Sequence, residues 1–89
     1  MKLLLLDTNG ITLQTEGVNI NKIMAKTIAE TTLIAKSIAK ITEDNFKYIK
    51  LDMAKQSIIC GFEGNNILAI FAESPSEVVE ATEKFIHSK

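Results

Sequence analysis

The order of the elements constrains this chain most. A strand hairpin comes first, one long helix follows, and a three-strand meander precedes a short last helix. Leu3 to Leu6 run into Asp7-Thr8-Asn9-Gly10, and Ile11-Thr12-Leu13 return. Asn-Gly between two apolar runs is the strongest short-range hairpin signal, and it predicts positive φ at both turn residues. A chain this small has few ways to close a sheet around one crossover helix.

The opening strand, residues 2–7, is apolar at every central position, so it is expected to be central and covered on both faces. Residues 11–15 alternate Ile11 and Leu13 with Thr12 and Gln14, which suits an edge. The helix is predicted over 20–42, capped by Asn19 or Asn21. At 1.5 Å per residue it spans roughly 34 Å, the width of a small sheet. Placed at 100° steps, Ile20, Ile23, Met24, Ile28, Ile34, Ala35, Ile38 and Ile41 share one side and are expected to be its core stripe. Ala25, Ala29 and Leu33 form a row on the far side among Lys22, Lys26, Lys36 and Lys40. Alanine is a good helix former and needs no partner. A row of small residues also permits a second helix to approach closely.

Glu43-Asp44-Asn45 ends the helix, and residues 46–53 read as a third strand. Its alternation puts Phe46 and Tyr48 on one face and Ile49, Leu51 and Met53 on the other, as suits an edge strand. Strands at 56–62 and 66–72 flank the turn Glu63-Gly64-Asn65-Asn66, and the second of them is apolar throughout and expected to be central. Ser74-Pro75-Ser76-Glu77 is a helix start, with Ser74 as cap, Pro75 at the first position and Glu77 completing a capping box. Val78, Val79, Ala81, Phe85 and Ile86 supply the apolar side of that last helix.

The chain is expected to be one domain over 1–89, near the size where stability is thin and assembly with a partner helps. Its net charge of −1 gives no field for nucleic acid, and no stretch is long and apolar enough for direct membrane insertion. The single Cys60 forms no disulfide framework and fits a cytoplasmic setting.

A search for catalytic chemistry finds no convergent set. His87 stands alone near the chain end, and Cys60 between Ile59 and Gly61 reads as a small hydrophobe. Asp7 and Asp44 sit at turns, and Asp52 and Glu63 are isolated carboxylates. Thr31 and Thr32 read as packing residues, and four scattered glycines make no phosphate loop. No catalytic residue, metal site or cofactor is expected, and a binding role is.

The ordered segments resemble the roadblock family, named for dynein light chains and including bacterial and archaeal homologues. The stretches that carry the likeness are 3–11 as opening hairpin, 21–41 as Ala-rich helix, 46–51, 57–62 and 66–72. The likeness spans nearly the whole chain, although no single motif is specific. It implies an α+β fold: a five-stranded antiparallel sheet in the order 2-1-5-4-3, with the long crossover helix on one face and the C-terminal helix on the other. It also implies a dimer, homotypic or with another roadblock-like chain, joined through Phe46, Lys47, Tyr48, Ile49, Lys50, Leu51 and Asp52. Ala25, Ala29, Thr32, Leu33 and Lys36 would then form a helix seam or partner surface. Family members commonly carry a further helix before the first strand. Without it, Leu3, Leu4, Leu5 and Leu6 would form an exposed sheet face, filled by a helix from another protein or copy.

The function implied is a non-enzymatic dimeric adaptor that binds and regulates Ras-like small GTPases. These 89 residues include no arginine and so supply no arginine finger. The alternatives are a structural subunit of a motor or membrane-trafficking complex without GTPase contact, and a small-molecule sensing domain.

Overall fold

The computed structural model describes residues 1–87. The elements run β1 (Lys2–Leu6), β2 (Thr12–Glu16), α1 (Lys22–Ile41), β3 (Ile49–Asp52), β4 (Ser57–Glu63), β5 (Asn66–Ala72) and α2 (Pro75–Ile86). All strand pairs are antiparallel, in the order β2-β1-β5-β4-β3. This is the expected α+β architecture and strand order. The two strands richest in apolar residues, β1 and β5, lie side by side within the sheet, and β2 and β3 form its edges.

The opening turn differs from the expected one. Only Gly10 has positive φ, at 84°, and Asn9 does not. The cause is Asp7, whose Oδ1 accepts hydrogen bonds from the backbone N–H of both Asn9 and Ile11. This Asx geometry widens the loop, and a register irregularity follows between Leu5 and Leu6. By contrast, β4 and β5 are joined by the two residues Gly64-Asn65, with positive φ at Gly64 alone, the pattern of a type II′ turn.

Side chains alternate across the sheet, and each face holds one core. The first core joins Leu4, Leu6, Ile58, Cys60, Ile67, Ala69 and Phe71 of the sheet to Ala25, Ile28 and Ala29 of α1. The second joins Ile59, Leu68, Ile70 and Ala72 to Ala81 and Phe85 of α2. Leu4 and Leu6 are therefore fully buried under α1 rather than exposed. Leu3 and Leu5 point to the α2 face and are half-buried there.

The long helix sits in the opposite rotation to the one its isoleucines suggest. Ala25, Ala29 and Thr32 are buried against the chain's own sheet. Ile23 (79%), Ile34 (61%), Ile38 (57%) and Ile41 (80%) stay exposed, Met24 is exposed as well, and Ile20 and Ala35 are half-buried. Of the expected core stripe only Ile28 is buried. The physical reason lies on the sheet. Its inner face already carries Leu4, Leu6, Ile58, Ile67 and Phe71, so the helix is left to supply small residues and approach closely. Thr32 is accommodated because its hydroxyl donates to the Ile28 carbonyl one turn back.

The helix termini follow their sequence signals. Asn21 caps α1, its side chain accepting from Met24 N–H. At the other end Glu43 takes a left-handed φ of 58°, Glu43 N–H donates to the Lys40 carbonyl and Asp44 N–H to that of Ala39. This is a Schellman closure with a non-glycine residue at its left-handed position. Ser74 caps α2 through Glu77 N–H as expected, but the Glu77 carboxylate accepts from Glu73 N–H, one residue before the cap whose N–H a capping box engages. On α2, Ala81 and Phe85 are buried and Val78 is half-buried, whereas Val79 and Ile86 are exposed.

Candidate functional site

The exposed and half-buried residues along the outer side of α1 form a stripe with a regular period. Ile20, Met24, Thr27, Thr31, Ile34, Ile38 and Ile41 alternate in steps of four and three. That is the heptad spacing of a helix–helix seam, and among the described residues its isoleucines from Ile34 onward stay exposed. The lower flank of the stripe opens into a groove of about 520 Å³ bounded by Ala35, Ile38 and Ala39 on the helix and by residues 46–49 beside the sheet edge. Apolar helix surface therefore continues down to β3.

β3 is shorter than expected, four residues rather than eight, and lies at the sheet edge beside β4. Ile49 and Leu51 pack on the α1 core, and Lys50 and Asp52 are exposed on the other face. Asp52 accepts a hydrogen bond from the Ser57 hydroxyl opposite it, and its other oxygen lies 3.5 Å from Lys50 Nζ. The Ser57 hydroxyl foremost, with Lys50 adding to it, holds the Asp52 carboxyl below its usual range. Phe46, Lys47 and Tyr48 precede the strand. Phe46 and Tyr48 do not share a face. Phe46 stands edge-on to Phe62, 5.9 Å between ring centres, while Tyr48 lies against Phe85 on the α2 side.

The expected helix seam is corrected by this geometry. Ala25, Ala29 and Thr32 are closed off beneath the helix and reach no partner. Leu33 is half-buried and packs on the core. Lys36 is exposed, and its Nζ lies 4.6 Å from the centre of the Phe62 ring, a cation–π contact. Sequence reasoning missed the isoleucine stripe as a surface. The signal that finds it is the 3-4 spacing itself, read together with the small residues on the opposite side.

A second open area lies on the α2 face. α2 covers β4 and β5, and Leu3 and Leu5 remain half-buried beside it, with Val79 and Ile86 exposed on the helix. Another cleft, about 610 Å³, opens at the end of the sheet between Leu33, Lys36 and Lys40 of α1 and Phe46, Phe62 and Gly64. Asp44 also lines it, so its rim carries both charge signs.

Among the described residues, polar side chains with nucleophilic or acid–base chemistry do not converge. Cys60 is buried, and burial pushes its thiol up to about 11. Such a thiol is inert at neutral pH. His87 is exposed at the end of α2. Among the described residues, no three His, Cys, Asp or Glu side chains are placed to hold a metal ion, and no helix is long and apolar enough to cross a membrane.

Comparison with known proteins places this architecture. No family model matches the sequence, and no curated protein matches it. Solved structures do match. Myxococcus xanthus MglB superposes with a TM-score of 0.73 at 21% identity, over 93% of this chain and 77% of that one. A Roadblock/LC7 domain from Streptomyces avermitilis superposes with a TM-score of 0.72 at 12% identity, over 93% of this chain and 79% of that one. The fold is that of a roadblock domain. The gliding protein MglB of Thermus thermophilus gives a TM-score of 0.73 at 16% identity, over 93% of this chain and 69% of that one. An MglB described with a tetrameric arrangement shares the roadblock fold at a TM-score of 0.74 and 15% identity, over 93% of this chain and 68% of that one. These superpositions show the roadblock fold alone and leave the partner surfaces to be argued from this chain's own residues.

Proposed function

We propose that this chain is a non-catalytic scaffold that dimerises through β3 and binds Ras-like small GTPases on the platform made by α1. One observation carries the reading: the uncovered stripe of Ile34, Ile38 and Ile41 runs above a free sheet edge, in a roadblock fold. When two copies join at β3, their α1 helices lie side by side on one sheet face. The flank residues Ala35 and Ile38 then turn toward the other helix, while Ile23, Ile34 and Ile41 face outward. The outward residues are the GTPase-binding part of the platform. Any effect on nucleotide hydrolysis works by positioning the GTPase's own groups, since these residues hold no arginine. The setting is cytoplasmic, where such GTPases act.

The test uses Ile34→Asp and Ile23→Asp, both at exposed positions that leave the core intact. Binding of Ras-like GTPases from the same organism, loaded with GDP or a GTP analogue, is measured by calorimetry. The expected result is loss of binding with an unchanged far-UV spectrum. Full binding by both variants removes α1 as the platform.

A second reading, a structural subunit of a larger assembly, is favoured by one feature. Val79, Ile86, Leu3 and Leu5 leave apolar surface on the α2 face, away from the platform. The tetrameric arrangement of one MglB neighbour makes higher assembly a natural comparison. Co-purification with another small subunit, lost on Val79→Asp, would favour it.

A further inference from the structure

We infer that the cleft beneath the C-terminal half of α1 is a binding site for a small aromatic monocarboxylate, its ring against Phe46 and Phe62 and its carboxylate on Lys36 and Lys40. The inference depends neither on the dimer nor on GTPase binding.

Its first support is the row that seats α1. Ala25, Ala29 and Thr32 are spaced by four and three residues and lie buried on the sheet. The same spacing continues through Lys36 to Ala39, with Lys40 one turn after Lys36. The side of the helix that rests on the sheet therefore changes from small residues to lysines in its last turns. Below them the close seat gives way to the cleft of about 610 Å³. Small-molecule sites commonly measure roughly 300–1,000 Å³.

The cleft joins an apolar floor to a cationic rim. Leu33, Phe46 and Phe62 line it and are half-buried. Phe46 stands edge-on to Phe62, and Lys36 lays its ammonium over the Phe62 ring. A flat aromatic body makes edge and face contacts with two phenyl rings that a puckered one does not. A carboxylate would take charge-assisted hydrogen bonds from the two ammonium groups. Asp44 also lines the cleft, so two positive charges against one negative leave a single net positive charge. That balance suits a monoanion and disfavours a dianion, whose second charge would face Asp44.

The position leaves the other surfaces free. The groove beside β3 draws Ala35 and Ile38 from one side of α1, whereas this cleft draws Leu33 and Lys36 from the other. Its mouth lies toward the turns at Thr8 and at Gly64-Asn65.

The test follows the backbone amide NMR shifts of the 89-residue chain during titration with 2-naphthoate. Shifts are expected at Lys36, Lys40, Phe46 and Phe62, with a Kd on the order of 1 mM, as suits a ligand of this size. Two analogues separate ring from charge. 2-Naphthamide keeps the ring without the charge, and decalin-2-carboxylate keeps the charge without the flat ring. Each is expected to bind at least about threefold more weakly. Lys36→Gln and Lys40→Gln, both at exposed positions, are each expected to weaken 2-naphthoate about threefold, and together about tenfold. Lys22→Gln, at the other end of the helix, is expected to leave binding unchanged. Equal affinity in all variants, equal binding of 2-naphthamide, shifts scattered over the surface, or no shift at about 10 mM ligand overturns the site. An N-acetyl-Glu-Phe-amide peptide that moves the same amides at about tenfold lower concentration overturns the small-molecule assignment in favour of a protein segment. Movement of those amides on dilution of the ligand-free chain overturns it in favour of a second copy.

Discussion

Gly61 shows how closely the α2 side is fitted. A Cβ there would lie 2.5 Å from Phe85 Cδ1 and 2.9 Å from the Lys47 carbonyl oxygen. Phe85 is buried over this spot, so the ring sits where only glycine leaves room. Gly61→Ala is expected to cost about 1–3 kcal/mol, the usual range for overpacking, read as a lower urea midpoint. Cys60, next to it, predicts a pH dependence. Below pH 9 its thiol is protonated in both folded and unfolded chains, so it adds no slope. Burial holds the folded thiol protonated up to about 11, from an ordinary value of 9.0. Between these values only the unfolded chain ionises, the folded state binds more protons, and stability falls as pH rises. Urea titrations of wild type and Cys60→Ala are expected to diverge above pH 9, wild type losing more. Equal slopes for both would remove this role for the thiol. That Cys60 is a small buried hydrophobe is plain from its apolar neighbours in sequence. The need for Gly61 is not, because it comes from a ring 24 positions further on.

Among the elements, α1 separates two kinds of surface along one helix. Ile28→Ala on the buried side is expected to destabilise by about 2–4 kcal/mol, whereas Ile34→Asp on the exposed side should stay within about 0.5 kcal/mol in monomer stability. Equal costs would mean that the helix is rotated from the orientation described. The helix end offers a third test. Glu43 occupies a left-handed position that costs a side-chain-bearing residue roughly 1 kcal/mol, so Glu43→Gly is expected to raise the urea midpoint by about that amount. The extents of α1, β5 and α2 are legible in sequence because caps and turns are local: Asn21, Gly64 and Ser74 each act through neighbours a few residues away. The rotation of α1 is not legible there. A helical wheel ranks sides by hydrophobicity, and here the sheet selects by size. The length of β3 escapes for a similar reason, since Phe46 and Tyr48 look like strand residues but leave to pack on Phe62 and Phe85.

At the scale of the molecule, each face of one sheet carries one helix, and each helix leaves apolar side chains uncovered. A dimer that joins the β3 edges and the Ala35 and Ile38 flank of α1 links folding to association, so the apparent Tm should rise with protein concentration. A Tm constant across a hundredfold dilution series, measured by calorimetry, would speak against such coupling. The strand order is legible from sequence because the most apolar strands have to be central and the alternating ones marginal. Which outer surface meets which neighbour is not, since that depends on how the edge and the helix flank meet in space.

The row of small residues beneath α1 also bears on how such a protein can change over generations. Ala25, Ala29 and Thr32 fix the helix to its sheet and tolerate little enlargement. The isoleucines on the opposite side contribute little to that attachment. Drift can therefore rewrite the outer side of the helix, one residue at a time, while its seat stays constant. Lineages that share this scaffold can diverge in whom they recognise without first having to relearn how to fold.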